Sequence, residues 1–295
     1  GAAGKPFFIE IATFAPHAPY TPAPRDADRF PGLAYSRAAP FLARPNATAP
    51  EWLKIMPPLG PNILAKIDHD FRLRVQADQA VDKLLGRLRA TLAELGLDRD
   101  TYVIFTSDNG YHMGEYSLRP GKMTPFDTDI RVPLVVAGPN VTRGQVRNEF
   151  VENIDLAPTY AELAGAGAPL EPDGRSLAPL LHAAPGADGA IPWRRSVLVE
   201  HRHPGEDASD PDLQERASGN PPSYEALRAD GVLYVEYDDA AKEVSYYDLR
   251  RDPLELNNIA GSMPASTLAR WHTILSHNAA CHGAAACWAA QSEAP

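Results

Sequence analysis

The sequence holds 295 residues, 44% apolar and 22% charged, enough for a full core built as one large domain or as a large domain with a small one. Its net charge of -10 argues against a nucleic-acid phosphate backbone as partner and gives no basic patch for an anionic membrane. No run approaches the ~18–20 apolar residues that a spanning helix needs, so no membrane span is expected.

Phe7 to Thr13 is a short apolar, β-branched run and predicts a buried strand. No start Met and no basic segment ahead of an apolar core precede it, so no signal peptide is visible and the chain reads as opening in the middle of a fold. The strand ends in APHAPYTPAP, where repeated prolines forbid regular structure. Residues 22–62 stay irregular, the texture of a site wall or lid. From Phe71 to Leu95 apolar residues recur every three or four positions, which predicts one amphipathic helix with Asp68–Asp70 at its start and Gly96 as its stop. Tyr102 to Thr106 follows as a strand.

A helix between two apolar strands is the βαβ pattern, so a parallel sheet covered on both faces is expected here. Val132 to Ala137 adds a core strand, and Glu152 to Gly165 reads as a helix with Ile154, Leu156 and Leu163 towards the core. Beyond it come a strand at Val197–Glu200, a hairpin turning on Asp230-Gly231, a short strand VSYYDL, and a last helix from Pro264 to His277. The expected fold is α/β: a mixed, mostly parallel sheet sandwiched by helices over residues 1–194, then a small antiparallel α+β subdomain over 195–295.

Open α/β sheets bind ligands at the carboxyl ends of their strands. Two such ends carry chemistry: FAPHAPY, with His17, and FTSDNGYH, with Asp108, Asn109 and His112. Asp-Asn-Gly is turn chemistry, but its carboxylate and amide oxygens also suit Ca²⁺ or Mg²⁺, which want about six oxygen ligands. Lys122, in the loop returning from that strand, is either a solvated cation or an anion contact. An imidazole such as His17 or His112 can hand a proton to a leaving oxygen. His201 and His203 are weaker candidates for a substrate wall. Cys281 and Cys287 fit a small-loop disulfide; free thiols stay open, and the spacing matches no zinc pattern. The sequons Asn46-Ala-Thr48 and Asn140-Val-Thr142 are compatible with export.

The blocks PHAPYTPAP, FTSDNGYHMGEYSL, GKMTPFDTDIRVPLVV and NIDLAPTYAELAG resemble those of the sulfatases, of the alkaline-phosphatase-like superfamily. The likeness is greatest to the N-acetylglucosamine-6-sulfatase branch and its bacterial relatives. It runs from Lys5 to at least Leu181, and more loosely through YYDLRRDPLELNNIA to the cysteines. The resemblance implies a sulfuric ester hydrolase acting on sulfated sugars or aryl sulfates in a secreted, periplasmic or lysosomal-type compartment. By position, Asp108 and Asn109 match the family's metal-binding pair, Lys122 its sulfate-contacting lysine, and His17 its histidine near the leaving oxygen. His112 falls where that branch lines its sugar pocket, and Asp127, Asp129 and Arg131 continue the pattern, with Arg131 expected as an ion-pair former. The implied cofactors are Ca²⁺, or Mg²⁺, and a formylglycine made from the cysteine of a Cys-x-Pro-Ser-Arg motif. That motif and the family's paired-Asp metal motif are absent from this sequence. The chain is therefore expected to be the C-terminal portion of a sulfatase, inactive alone, with the formylglycine-bearing half as a possible partner polypeptide. A phosphoesterase or phosphonate hydrolase of the same superfamily, or a non-catalytic truncated chain, are the alternative readings.

Overall fold

The computed structural model describes residues 5–37, 46–167, 171–184, 186–187, 189–202 and 214–294. The chain divides into two compact units: described residues within Gly1–Ser36 and Gly60–Arg99 form one, those within Arg37–Leu59 and Asp100–Pro295 the other. The boundary expected at 194/195 thus falls inside the second unit.

In the first unit, α2 spans Pro61–Glu94; the shorter α1, Glu51–Lys54, belongs to the second. Helix α2 begins ten residues before the expected Phe71, because Pro61 at its first turn is already compatible with a helix. The Asp68–Asp70 segment lies inside the helix instead of starting it. Asp70 is buried and pairs with Lys66 one turn earlier, at 2.5 Å, while Asp68 accepts the Tyr35 N–H at 3.0 Å. Gln76, also buried, donates to the carbonyls of Ala27 and Arg29 and fixes the preceding loop on the helix. The expected strand at Phe7–Thr13 does not form among the described residues: the segment carries no strand, and Phe8 and Ile9 are 69% and 62% exposed.

In the second unit, β1 (Val103–Thr106) and β2 (Leu134–Ala137) pair antiparallel, Val103 opposite Ala137 and Thr106 opposite Leu134. The expected parallel sheet is not seen among the described residues. Parallel pairing needs a crossover helix between the strands, whereas residues 107–133 fold straight back and carry only the four-residue α3, Asp127–Ile130. The expected single helix over 152–165 is a 3-10 turn, Asn153–Asp155, running into α4, Leu156–Leu163. Ile154, expected in the core, is 49% exposed because the tighter turn rotates it outward. Helix α5 spans Ala178–Leu181.

The antiparallel expectation for the C-terminal part holds. Strands β3 (Ser196–His201), β4 (Tyr224–Ala229), β5 (Val232–Tyr237) and β6 (Val244–Asp248) form one four-stranded meander, with the β4–β5 turn at Asp230-Gly231. Side chains alternate between its faces. Leu227, Ala229, Tyr234 and Tyr246 pack on Trp271, Ile274 and Leu275 of α6, Ala265–Ala280. Tyr224, Ala226, Leu233, Val235 and Tyr247 face the opposite way, onto Trp52, Tyr116, Leu118 and Phe126. The sheet is therefore filled on one side by a helix and on the other by the long loop between β1 and β2.

Cys281 and Cys287 are disulfide-bonded, joining the end of α6 to α7, Ala284–Gln291. A bridge across so short a loop contributes about 2 kcal/mol by restricting the unfolded chain. Replacing both cysteines with serine is expected to lower the urea-unfolding free energy by about that amount; an unchanged midpoint would count against it.

Candidate active site

The loop from Ser107 to Pro133 is built on itself before it touches anything else. Gly110 and Tyr111 donate their N–H groups to the carbonyls of Asp129 and Thr128, at 2.8 and 3.0 Å. Gly110 permits that approach, since a Cβ there would lie 2.2 Å from the Thr128 carbonyl oxygen. His112 and Gly121 then exchange both backbone hydrogen bonds, at 2.9 and 3.0 Å. That bridge closes the loop and leaves Lys122 as the next residue. Tyr116, Ser117 and Met123 all have positive φ, between 57° and 83°. A side chain held there costs of order 1 kcal/mol or more, so packing must enforce it: Tyr116 is 3% exposed and stacks on Phe126 with ring centroids 4.1 Å apart.

Asp129 is the hub. Its buried carboxylate accepts from His112 Nδ1 at 2.9 and 3.0 Å, from the Thr124 N–H at 2.9 Å and from the Thr124 hydroxyl at 2.6 Å. The other ring nitrogen of His112 faces the Ser218 carbonyl at 2.9 Å. Burial by itself lowers the pKa of this imidazole, but the charge and hydrogen bond of Asp129, the charge of Glu115 and the Ser218 carbonyl reverse that and raise it. His112, expected near a sugar pocket, is 0% exposed with both nitrogens engaged, so in this structure it braces the loop instead of presenting itself to a ligand.

Asp108 and Asn109 stand at the end of β1. Asp108 is exposed; one carboxylate oxygen accepts from Ser107 Oγ at 3.3 Å, and its backbone carbonyl accepts from Asn153 Nδ2 at 3.0 Å. The Asn109 amide nitrogen donates to the Gly110 carbonyl at 2.7 Å, a bond that leaves the amide oxygen as the potential ligand atom. The pair therefore offers adjacent oxygen donors of the type Ca²⁺ prefers, and this donor chemistry fits a share of such a site. Among the described residues no cluster of three or more His, Cys, Asp or Glu could hold a metal ion, so the remaining ligands would come from elsewhere.

Lys122 is pinned through its backbone. Its N–H donates to Gln214 Oε1 at 2.5 Å and its carbonyl accepts from Gln214 Nε2 at 2.8 Å. The next carbonyl, of Met123, accepts from the Tyr224 hydroxyl at 3.1 Å. Among the described residues the Lys122 ammonium has no carboxylate partner. His17 belongs to the other unit, exposed in a turn where its Nδ1 faces the Ala18 carbonyl at 3.0 Å. His201 ends β3 against Tyr224, ring centroids 5.3 Å apart, and His203 lies outside the described residues.

The C-terminal sheet holds this loop by charge as well as packing. Arg228 of β4 pairs with Asp127 at 2.7 Å; Arg131, the ion-pair former expected from sequence, is exposed. Glu255, 3% exposed, accepts from the Tyr116 hydroxyl at 2.9 Å and from the Asp127 N–H at 3.1 Å. Burial first, and the charge of Asp127 second, push its carboxyl up to about 8. A folded pKa above the unfolded value means stability that is complete below about pH 4.5 and lost as pH rises through about 8. His112, raised above 6.5, acts in the same direction. The urea midpoint is therefore expected to fall between pH 5 and about pH 8.5, and a rising midpoint would contradict the burial of Glu255.

Asn153, Gln214, Thr124 and Ser218 were not legible as site residues. Asn153, Gln214 and Ser218 act through hydrogen bonds to residues distant in sequence, and Thr124 through bonds to a carboxylate five residues on, and no spacing rule reports either.

A sulfatase family model matches residues 1–166, and a model described as N-sulphoglucosamine sulphohydrolase, C-terminal, matches residues 114–275. N-acetylglucosamine-6-sulfatases of Capra hircus and Homo sapiens are each 33% identical over 95% of this chain, and it covers 52% and 53% of them. The chain thus spans about half the length of the curated relatives it matches. A solved structure in complex with its substrate D-glucosamine-2-N,6-O-disulfate aligns with a TM-score of 0.61 at 25% identity, over 74% of this chain and 42% of that one. A phosphonate monoester hydrolase from Silicibacter pomeroyi aligns with a TM-score of 0.59 at 29% identity, over 72% and 41%. These neighbours share the alkaline-phosphatase-like fold, although among the described residues the chain shows helices and small antiparallel sheets. With the matching models spanning more than half its length, the chain belongs to the sulfatase family.

Proposed function

We propose that this chain supplies the charge-stabilising part of a sulfuric ester hydrolase acting on sulfated sugars or aryl sulfates. The observation that carries this reading is the self-closed loop that follows β1 with Asp108 and Asn109 and presents at Lys122 an ammonium that has no carboxylate partner among the described residues. In this reading Asp108 and Asn109 hold Ca²⁺, with Mg²⁺ as the alternative ion. Bound there, the cation would supply electrostatic stabilisation of negative charge on the ester. Lys122 binds and neutralises a sulfate oxygen, and His17 gives a proton to the departing alcohol oxygen. The family's nucleophile is a formylglycine made from cysteine. Both cysteines of this sequence are tied to each other, so neither serves, and that group would come from another segment or polypeptide. A disulfide, and kinship with a Drosophila melanogaster protein named as an extracellular sulfatase homolog, support an exported compartment.

The second reading is phosphonate or phosphate ester hydrolysis, favoured by the 29% identity to a phosphonate monoester hydrolase. The third is a non-catalytic chain, favoured by the lack of a free cysteine. Paired assays separate the three. The chain alone is expected to release nothing from 4-nitrophenyl sulfate. Joined to a formylglycine-bearing segment of the family, it is expected to release sulfate in a Ca²⁺-dependent way, faster than it cleaves the matching phenylphosphonate. The reverse preference selects the second reading, inactivity of the joined protein the third, and turnover by the chain alone overturns the assignment of the nucleophile.

A further inference from the structure

The composition predicts no basic patch, yet the first unit gathers one. A groove of about 600 Å³ runs between the 3-10 turn Pro24–Asp26 and α2. That volume suits a mono- or disaccharide-sized molecule. On α2 the residues lining it are Ala80, Lys83, Leu84, Gly86, Arg87 and Ala90, which recur at three- and four-residue steps and so share one face. The alanines keep its floor open, and Leu84, 40% exposed, gives an apolar wall. Arg25 closes the other side.

The charge of the groove is one-signed apart from a single buried carboxylate. Asp26, 1% exposed, accepts from Lys83 Nζ at 2.6 Å and pairs with Arg25 through Nε at 3.2 Å. Engagement through Nε leaves the forked Nη edge of Arg25 for another acceptor. Arg87, one turn beyond Lys83, has no ion pair among the described residues. Like charges one turn apart destabilise a helix by a few tenths of a kcal/mol. Three cations against one carboxylate, on a chain of net charge -10, are a local excess that the fold does not neutralise.

We propose that this groove binds an oxyanion ester, a sulfate or phosphate carried on a sugar-sized molecule. The anionic group sits between Arg87 and Arg25, and the ring's apolar face lies on Leu84. A planar guanidinium fork matches both oxyanions, so the geometry names the chemistry and the ligand series identifies its source. The site lies wholly in the first unit and uses none of the residues assigned to hydrolysis. It stands whether or not the hydrolase reading does.

The test is isothermal titration of the 295-residue chain carrying Lys122→Ala, which removes the sulfate contact proposed for hydrolysis, with glucose 6-sulfate, glucose 6-phosphate and glucose at low salt. At least one ester is expected to bind at a single site, with affinity falling as salt rises, and glucose is expected not to bind. Preference for the sulfate ester marks a second site for the hydrolase's own substrate class, and preference for the phosphate ester a separate ligand. Added to that background, Arg87→Gln and Arg25→Gln are each expected to weaken binding about five- to tenfold. Arg87 is exposed and has no ion pair among the described residues, so its variant is expected to fold normally. No heat with either ester, glucose binding as well as the esters, or unchanged affinity on adding Arg87→Gln would each overturn the proposal.

Discussion

Replacing Asp129 with alanine is expected to lower the unfolding free energy by about 3–5 kcal/mol, the range for breaking a buried charged network. The carboxylate serves the His112 ring, the Thr124 N–H and the Thr124 hydroxyl at once, and Asp129 is 5% exposed. Removing it strands all three donors where water does not reach. The cost exceeds that of any one hydrogen bond because the imidazole, 0% exposed, loses the main neighbour that sustains its positive charge. Asp129→Asn keeps the volume and one acceptor oxygen, so it should cost about half as much. Urea unfolding of both variants decides the matter. A loss under about 1 kcal/mol for Asp129→Ala would mean that the loop does not depend on this hub.

The parts of the fold that were legible in the sequence are those set by local periodicity. Helix α6 was expected from Pro264 and runs over Ala265–Ala280, and Asp230-Gly231 turns the hairpin. Such signals are carried within about ten residues. The direction of strand pairing is not local. The apolar run Phe7–Thr13 and the strand after α2 suggested a parallel unit, but pairing is settled by which backbone lies alongside, and β1 found β2 across the folded-back loop. The same limit applies to the candidate site. Asp108, Asn109 and Lys122 were visible as residue types at a strand end. Asn153, which holds the Asp108 carbonyl, and Gln214, which holds both backbone groups of Lys122, were not. His112 shows the reverse case. The family resemblance put it at a sugar pocket, while the fold engages both of its nitrogens.

Lys122→Ala is expected to cut kcat/KM for an aryl sulfate about 10²–10³-fold in a protein that carries both this chain and a formylglycine, the cost of removing one preorganised charge from the reacting oxygens. Preorganisation is what the structure supports. Gly121 is paired with His112, Lys122 is clamped by Gln214 and the Met123 carbonyl is held by Tyr224, so three consecutive residues are fixed around the ammonium. Because the ammonium has no carboxylate partner among the described residues, its removal leaves no buried charge exposed to a penalty. The urea midpoint should therefore move by no more than about 0.5 kcal/mol. This separates the prediction from a folding defect: activity falls and stability does not. Lys122→Arg should recover only part of the loss, since a planar fork does not place its charge where a compact ammonium does. Gln214→Ala keeps the ammonium and frees its backbone, so it should fall between wild type and Lys122→Ala. A Lys122→Ala protein within about threefold of wild type would remove Lys122 from the reaction and leave the loop as a structural brace for the sheet.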